Sequence, residues 1–205
     1  MSQVSDAMAN NVVDIRGKLP AARRRQVAPN GVIGTLLFVV TEIMLFAGFI
    51  SAHAIAKTTA LTGWPPPNQP RLPAEETAIN TAALLVSAGT LVMAYRYLRR
   101  DAKPQAQRWL LATLLLGGFF VLFQGAEWLG LVREGLTLTS STHGGFFYMI
   151  IGAHALHAVA ALAVLLFQYV RLRQGRLMPN ALLAFQMFWF FVVGMWPILY
   201  WKVYF

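Results

Sequence analysis

The stretch NGVIGTLLFVVTEIMLFAGFISAHAIA, residues 30–56, is apolar along nearly its whole length, broken by Glu42 near its middle and His53 towards its end. A helix needs about 20 predominantly apolar residues to cross the hydrocarbon of a bilayer. This stretch is long enough, and it is apolar on every face, whereas a barrel strand alternates over about ten residues. In lipid a helix satisfies its own backbone groups, so a transmembrane helix is the expected element. Further spans are expected at about 76–98, 107–132, 142–170 and 180–202. The fold class is therefore all-α: an integral membrane bundle of five helices over residues 30–205, preceded by a polar tail at 1–29.

Composition points the same way. Of the 205 residues, 57% are hydrophobic and 12% charged, and the mean hydropathy is +0.54. A soluble domain carries about 25% charged residues, so too little polar surface exists here to cover a water-soluble globule. The net charge of +9 would suit nucleic acid only if Lys and Arg shared one solvated face. They fall instead in short clusters between apolar stretches, which excludes a nucleic-acid binder. With no Cys, disulfide frameworks, thiolate metal sites, iron–sulfur clusters and cysteine nucleophiles are excluded as well.

The connections orient the bundle. Five Lys or Arg lie in the tail, five in YRYLRRDAKPQAQR and three in RLRQGRLMPN, thirteen in all; the opposite side has four, Lys57, Arg71, Arg133 and Lys202. The positive-inside rule then puts the N-terminus in the cytoplasm and the C-terminus outside. The tail lacks the apolar core of a secretory signal, and Asp6 and Asp14 count against a mitochondrial presequence. It is expected to stay as a cytoplasmic extension. The first loop, TGWPPPNQPRLPAEET, holds five prolines and is expected to be extended, with Glu75 and Glu76 opening the next helix. The second connection is expected to be broken by Pro104.

Ionisable and polar residues inside spans are costly and so are the candidate functional groups. Glu42 lies near mid-membrane, where burial disfavours a charged carboxyl. It reads either as a proton-linked group or as a carboxyl hydrogen-bonded to a neighbouring helix. Gln124 and Glu127 share one helix face, as do His154 and His157, each pair three residues apart. The two histidines, completed by Glu127, could ligate a metal or haem. With only four His in the chain, and His53 and His143 at the outer interface, a hydrogen-bonded helix–helix contact is the expectation instead. Asn80, Thr81, Ser87 and Thr90, the Gly117–Gly118 pair and the alanines 158, 160, 161 and 163 read as close helix packing. Trp201, Tyr200 and Tyr204 suit an aromatic belt at the outer interface. No phosphate loop, HExxH or GxSxG is present, so no active site is expected in this chain.

These residues resemble a known family, subunit III of the haem–copper respiratory oxidases, in its short five-helix bacterial form. TEIMLFAGFISAH is similar to the family's S/T-E-x-M-x-F-x-x-F segment, with Glu42 at its buried carboxylate. GWPPP resembles its W-P-P loop at Trp64, Pro65 and Pro66, and INTAALLVSAGTL its N-T-x-x-L-x-x-S pattern at Asn80, Thr81 and Ser87. FQGAEW resembles Q-x-x-E-aromatic at Gln124, Glu127 and Trp128. FFYMIIGAHALHAV resembles the G-x-H-x-x-H segment at Gly152, His154 and His157. The last span departs from the family's Y-W-H-F-V-D-x-x-W: Phe190 stands at its His and Val193 at its Asp.

The resemblance implies a subunit without haem or copper of its own, those cofactors belonging to partner subunits. It implies packing on subunit I, contact with subunit II and small subunits, bound phospholipid, and support of proton uptake and of the durability of the oxygen-reducing site. Glu42 is then the proton-uptake carboxylate, and the protein sits in a bacterial cytoplasmic membrane. Arg96, Arg99, Arg171 and Arg173 are candidates for anionic head groups. Two alternatives stand beside this reading. The altered last span also suits an accessory or assembly protein of a nitric oxide reductase, and His154 with His157 an independent haem or metal membrane enzyme. The electron donor, cytochrome c or quinol, and the haem type are properties of other subunits.

Overall fold

The computed structural model describes residues 30–61, 63–66 and 74–204. The tail at 1–29 and Arg71, both used in the charge count, lie outside the described residues. Five helices account for nearly all of the rest: α1 Asn30–Thr58, α2 Ala74–Arg99, α3 Lys103–Arg133, α4 Thr142–Arg173 and α5 Pro179–Tyr204. All five are long and apolar enough to cross a membrane. At 32 residues α4 is about 48 Å long at 1.5 Å per residue, so its ends pass beyond the hydrocarbon.

Helix ends follow local chemistry. Pro104 does not break the second connection; it sits in the first turn of α3, where a missing N–H costs nothing because no partner carbonyl exists there. α3 and α4 both close on a glycine with positive φ, Gly135 at 93° and Gly175 at 70°. In each case the next residue's N–H returns to the final turn, Leu136 to the Leu131 carbonyl at 3.0 Å and Arg176 to the Arg171 carbonyl at 2.9 Å. α4 begins on Ser141, whose hydroxyl accepts the Gly144 N–H at 3.0 Å.

Helices α2, α3, α4 and α5 form a ring in which each touches the next, and α1 lies in the groove between α4 and α5. α5 is the most covered helix and α1 the least. Much of α1 faces outward, with Leu36, Leu37, Ile43 and Met44 all exposed.

The buried face of α2 mixes polar residues with Leu84, Leu91, Ala94 and Leu98. Its buried stripe carries Thr77, Asn80, Thr81, Ser87 and Thr90, while Ile79, Leu85 and Val86 face outward. Lipid does not drive apolar groups inward, so helices here associate through close packing and interhelical hydrogen bonds. The Trp189 indole N–H donates to Ser87 at 3.1 Å and that of Trp196 to Thr81 at 2.8 Å, joining α5 to α2. The Thr90 and Thr113 hydroxyls meet at 2.8 Å between α2 and α3. Gly117 lets the Trp189 ring approach α3: a Cβ there would lie 2.7 Å from Cη2. Its neighbour Gly118 faces open space, so only one of the two glycines serves packing.

Thr81→Val keeps the shape but leaves the Trp196 N–H without its acceptor. The expected cost is about 1 kcal/mol, typical of interhelical hydrogen bonds in membranes, read from the denaturation midpoint of the protein in detergent.

Candidate functional site

Glu42 and His157 meet where α1 seats against α4. His157 Nε2 lies 2.9 Å from Glu42 Oε2, and the two side chains are 16% and 14% exposed, respectively. The approach is close but off the line of a well-aligned hydrogen bond. The opposite ring nitrogen, Nδ1, lies 2.7 Å from the Ala153 carbonyl. A carbonyl only accepts, so Nδ1 carries the hydrogen. Two states then remain for Nε2. Either it holds a second proton and faces a carboxylate, or it offers its lone pair to a neutral carboxyl. In both states the pair shares one proton and has no net charge, which is the arrangement a hydrocarbon interior favours. Phe46 covers both histidines, with ring centroids 5.7 Å from His157 and 6.3 Å from His154.

Asn80, Gln124 and Glu127 gather into a second cluster, joining α2, α3 and α5 near the end opposite the arginine-rich connections. The Gln124 amide donates to Glu127 Oε2 at 2.7 Å and to the Tyr204 hydroxyl at 3.2 Å. Thr77 donates to the same carboxyl oxygen at 3.1 Å. The Asn80 amide reaches Gln124 Oε1 at 3.4 Å and the Phe120 carbonyl at 3.2 Å. Tyr204 and Thr77 carried no such role in the sequence: a tyrosine ending an apolar span looks like a belt residue.

His154 differs from the expectation. It is 1% exposed, and neither ring nitrogen has a hydrogen-bond partner. It is held by ring contacts, with Trp196 at 5.2 Å between centroids and Phe46. Successive residues are about 100° apart on a helix, so residues three apart differ by about 60°. That rotation lets His157 face α1 while His154 faces the bundle interior. Glu127 engages Thr77 and Gln124, and among the described residues no three His, Asp or Glu side chains gather as a metal site.

A third cluster lies at the end where the first loop begins. Trp64 stands between His53 and His143, with centroids 5.3 and 5.0 Å away and nearly perpendicular rings. Both imidazoles are buried, so they belong to the bundle and clamp the loop after α1, although the sequence suggests interface residues. At the opposite end Tyr95, Arg96, Arg99 and Arg100 line a groove of about 530 Å3. Arg171 lies 5.5 Å from the Phe167 ring, and Arg173 is exposed. Phe190 faces outward at 41% exposure, whereas Val193 is buried.

Five helices long and apolar enough to cross a membrane, with a close Glu–His contact between two of them, define a multi-pass membrane protein. Comparison with known proteins makes this specific. The sequence profile of the cytochrome c oxidase subunit III family matches residues 13–205, and the chain belongs to that family. It is 33% identical over 188 residues to a cytochrome c oxidase subunit 3 assigned in Nocardia farcinica, covering 86% of this chain and 89% of that one. It is 33% identical over 181 residues to the corresponding protein of Mycobacterium leprae, with the same coverage. The cytochrome c oxidase subunit 3 of Pelomedusa subrufa is 31% identical over 179 residues, 83% of this chain but 67% of that longer one.

Proposed function

We infer that the chain serves as subunit III of a haem–copper terminal oxidase in a bacterial cytoplasmic membrane, with its N-terminus in the cytoplasm. It packs against subunit I, in a complex with subunit II and small subunits whose haem and copper reduce oxygen. Its own part is to hold lipid, support proton uptake and preserve the oxygen-reducing site. Family membership supports the assignment, and one observation carries the residue-level reading: the 2.9 Å approach of His157 Nε2 to Glu42 Oε2 at mid-span of α1, the helix least covered by its own bundle. A proton can pass between such a carboxyl and the imidazole without changing the net charge of the pair in lipid.

The groove at Arg96 and Arg99 is suited to anionic head groups at the cytoplasmic surface, and Arg171 and Arg173 on α4 offer a separate basic site there. Phe190, at the family's usual His, presents an apolar outward face in place of a polar one.

A tagged chain is expected to bring down oxidase subunits I and II. In the purified complex Glu42→Gln is expected to lower proton pumping and to speed inactivation during turnover. If turnover, pumping and inactivation rate are all unchanged, the role of Glu42 is rejected while the assignment as subunit III stands. Recovery of nitric oxide reductase subunits would reject the assignment itself.

A further inference from the structure

Helix α1 is held to the bundle by few side chains: of its 29 residues, Val32, Phe46 and His53 are the buried ones. Phe46 is the one at the level of the Glu42–His157 pair, and none of its surface is exposed. It follows Glu42 by four residues, so the two share a helix face one turn apart. The seat of the Phe46 ring therefore sets where the Glu42 carboxyl stands.

The same ring meets both histidines of α4. Its centroid lies 5.7 Å from that of His157 and 6.3 Å from that of His154, with interplanar angles of 63° and 72°. These are edge-to-face contacts, an arrangement that aromatic rings favour. Phe188 and Phe191 of α5 border His157 at 6.4 and 6.3 Å, and Trp196 borders His154 at 5.2 Å. Among the described residues, Phe46 alone contacts both imidazoles, and it rides on the helix that carries Glu42.

Hydrogen bonding divides the two histidines. His157 has Nδ1 at the Ala153 carbonyl and Nε2 at Glu42. His154 has no partner at either nitrogen, so no hydrogen bond links the two imidazoles. A proton passes directly only between groups within hydrogen-bond reach, about 2.6–3.2 Å. A phenyl ring has neither a donor nor an acceptor to carry it.

We propose that Phe46 is the positioning residue of the Glu42–His157 pair: it holds the imidazole against the carboxyl and closes the pair off from His154. The proposal deepens the reading of Glu42 as the proton-uptake carboxylate. It makes the pair self-contained on its bundle side, so that a proton on Glu42 or His157 does not reach His154.

The test is the infrared difference spectrum of the purified native complex, in which the Glu42 band is the one lost in Glu42→Gln. Phe46→Leu removes the ring and keeps an apolar side chain. It is expected to shift or broaden the Glu42 band, because the imidazole no longer has a single seat against the carboxyl. Phe49→Leu removes a ring that contacts Phe46 but neither imidazole, and is expected to leave the band in place. His154→Leu is expected to leave it in place as well, because Phe46 still closes off the pair. An unmoved band in Phe46→Leu overturns the proposal. A band displaced as far by Phe49→Leu or by His154→Leu also overturns it, the first by showing a merely structural role and the second by showing that the two histidines are coupled. Should Phe46→Leu fail to assemble, Phe46→Met, which packs adaptably without a flat ring, takes its place with the same outcomes. The band reports on the pair whether or not pumping depends on it. Failure of the proton-uptake reading shows as unchanged pumping in Glu42→Gln, and failure of the Phe46 role as an unmoved band in Phe46→Leu.

Discussion

Gly144→Ala is expected to destabilise the protein by about 3 kcal/mol, at the upper end for forcing extra atoms into a packed site. A Cβ on Gly144 would overlap the Thr137 carbonyl oxygen and come within 2.8 Å of Ser140 Oγ. Neither neighbour can move cheaply. Ser140 Oγ accepts the Thr137 N–H at 3.1 Å and donates to the Thr137 carbonyl at 2.9 Å, and Ser141 caps α4 on the Gly144 N–H itself. Tyr148 ties the same turn to α4 by donating to the Leu136 carbonyl at 2.9 Å. Moving Thr137 therefore disturbs the α3–α4 connection and the first turn of α4 together. The measurement is the denaturant midpoint of the purified protein in detergent. Gly152→Ala is the control, because nothing lies within 4 Å of a Cβ at that position. It is expected to be as stable as wild type or up to about 1 kcal/mol more stable, because Ala is the better helix former and meets no obstacle. If Gly144→Ala matches Gly152→Ala, the turn is not the rigid joint described here.

Such a glycine shows how far the sequence carries. The five spans were plain, because a membrane helix announces itself through composition alone, and their ends fell within a few residues of the helices found. The largest offset came at α3, where Pro104 looked like a break but begins the helix. The polar residues inside the membrane were also legible, since Glu42, Asn80, Gln124, Glu127, His154 and His157 stood out against apolar neighbours. Their pairing was not. Glu42 and His157 are distant in sequence, and only the seating of α1 between α4 and α5 brings them together. Spacing placed His154 and His157 on one face, but a 60° difference sends them to different neighbours. Gly144 had no signal at all in a chain with 16 glycines, because the obstacle it avoids is a carbonyl in the preceding turn.

The Glu42–His157 pair gives the second large effect. Removing one partner of a buried pair costs about 3–5 kcal/mol when the other is left charged, whereas replacing both by apolar residues is often neutral. His157→Leu leaves the Glu42 carboxyl facing an apolar side chain, and the remaining group escapes part of the cost only by becoming or staying neutral. The expected loss is therefore about 2 kcal/mol or more, between an unpaired neutral hydroxyl and an unpaired charge. Glu42→Leu strands a neutral imidazole that still donates to Ala153 through Nδ1, so its cost is smaller, about 1 kcal/mol. The double variant is expected to be more stable than His157→Leu alone, and that ordering is the diagnostic. Denaturation of the four proteins in detergent yields the coupling energy of the pair. Purely additive losses would mean that the 2.9 Å approach carries no energetic coupling. Infrared difference spectra then separate the two proton placements. A carboxylic acid C=O band present in wild type and absent in Glu42→Gln puts the proton on Glu42; its absence from both makes Glu42 a carboxylate, and an imidazolium ring band lost in His157→Leu then puts the proton on His157. The first outcome makes Glu42 the proton donor of the pair and the second makes it the acceptor.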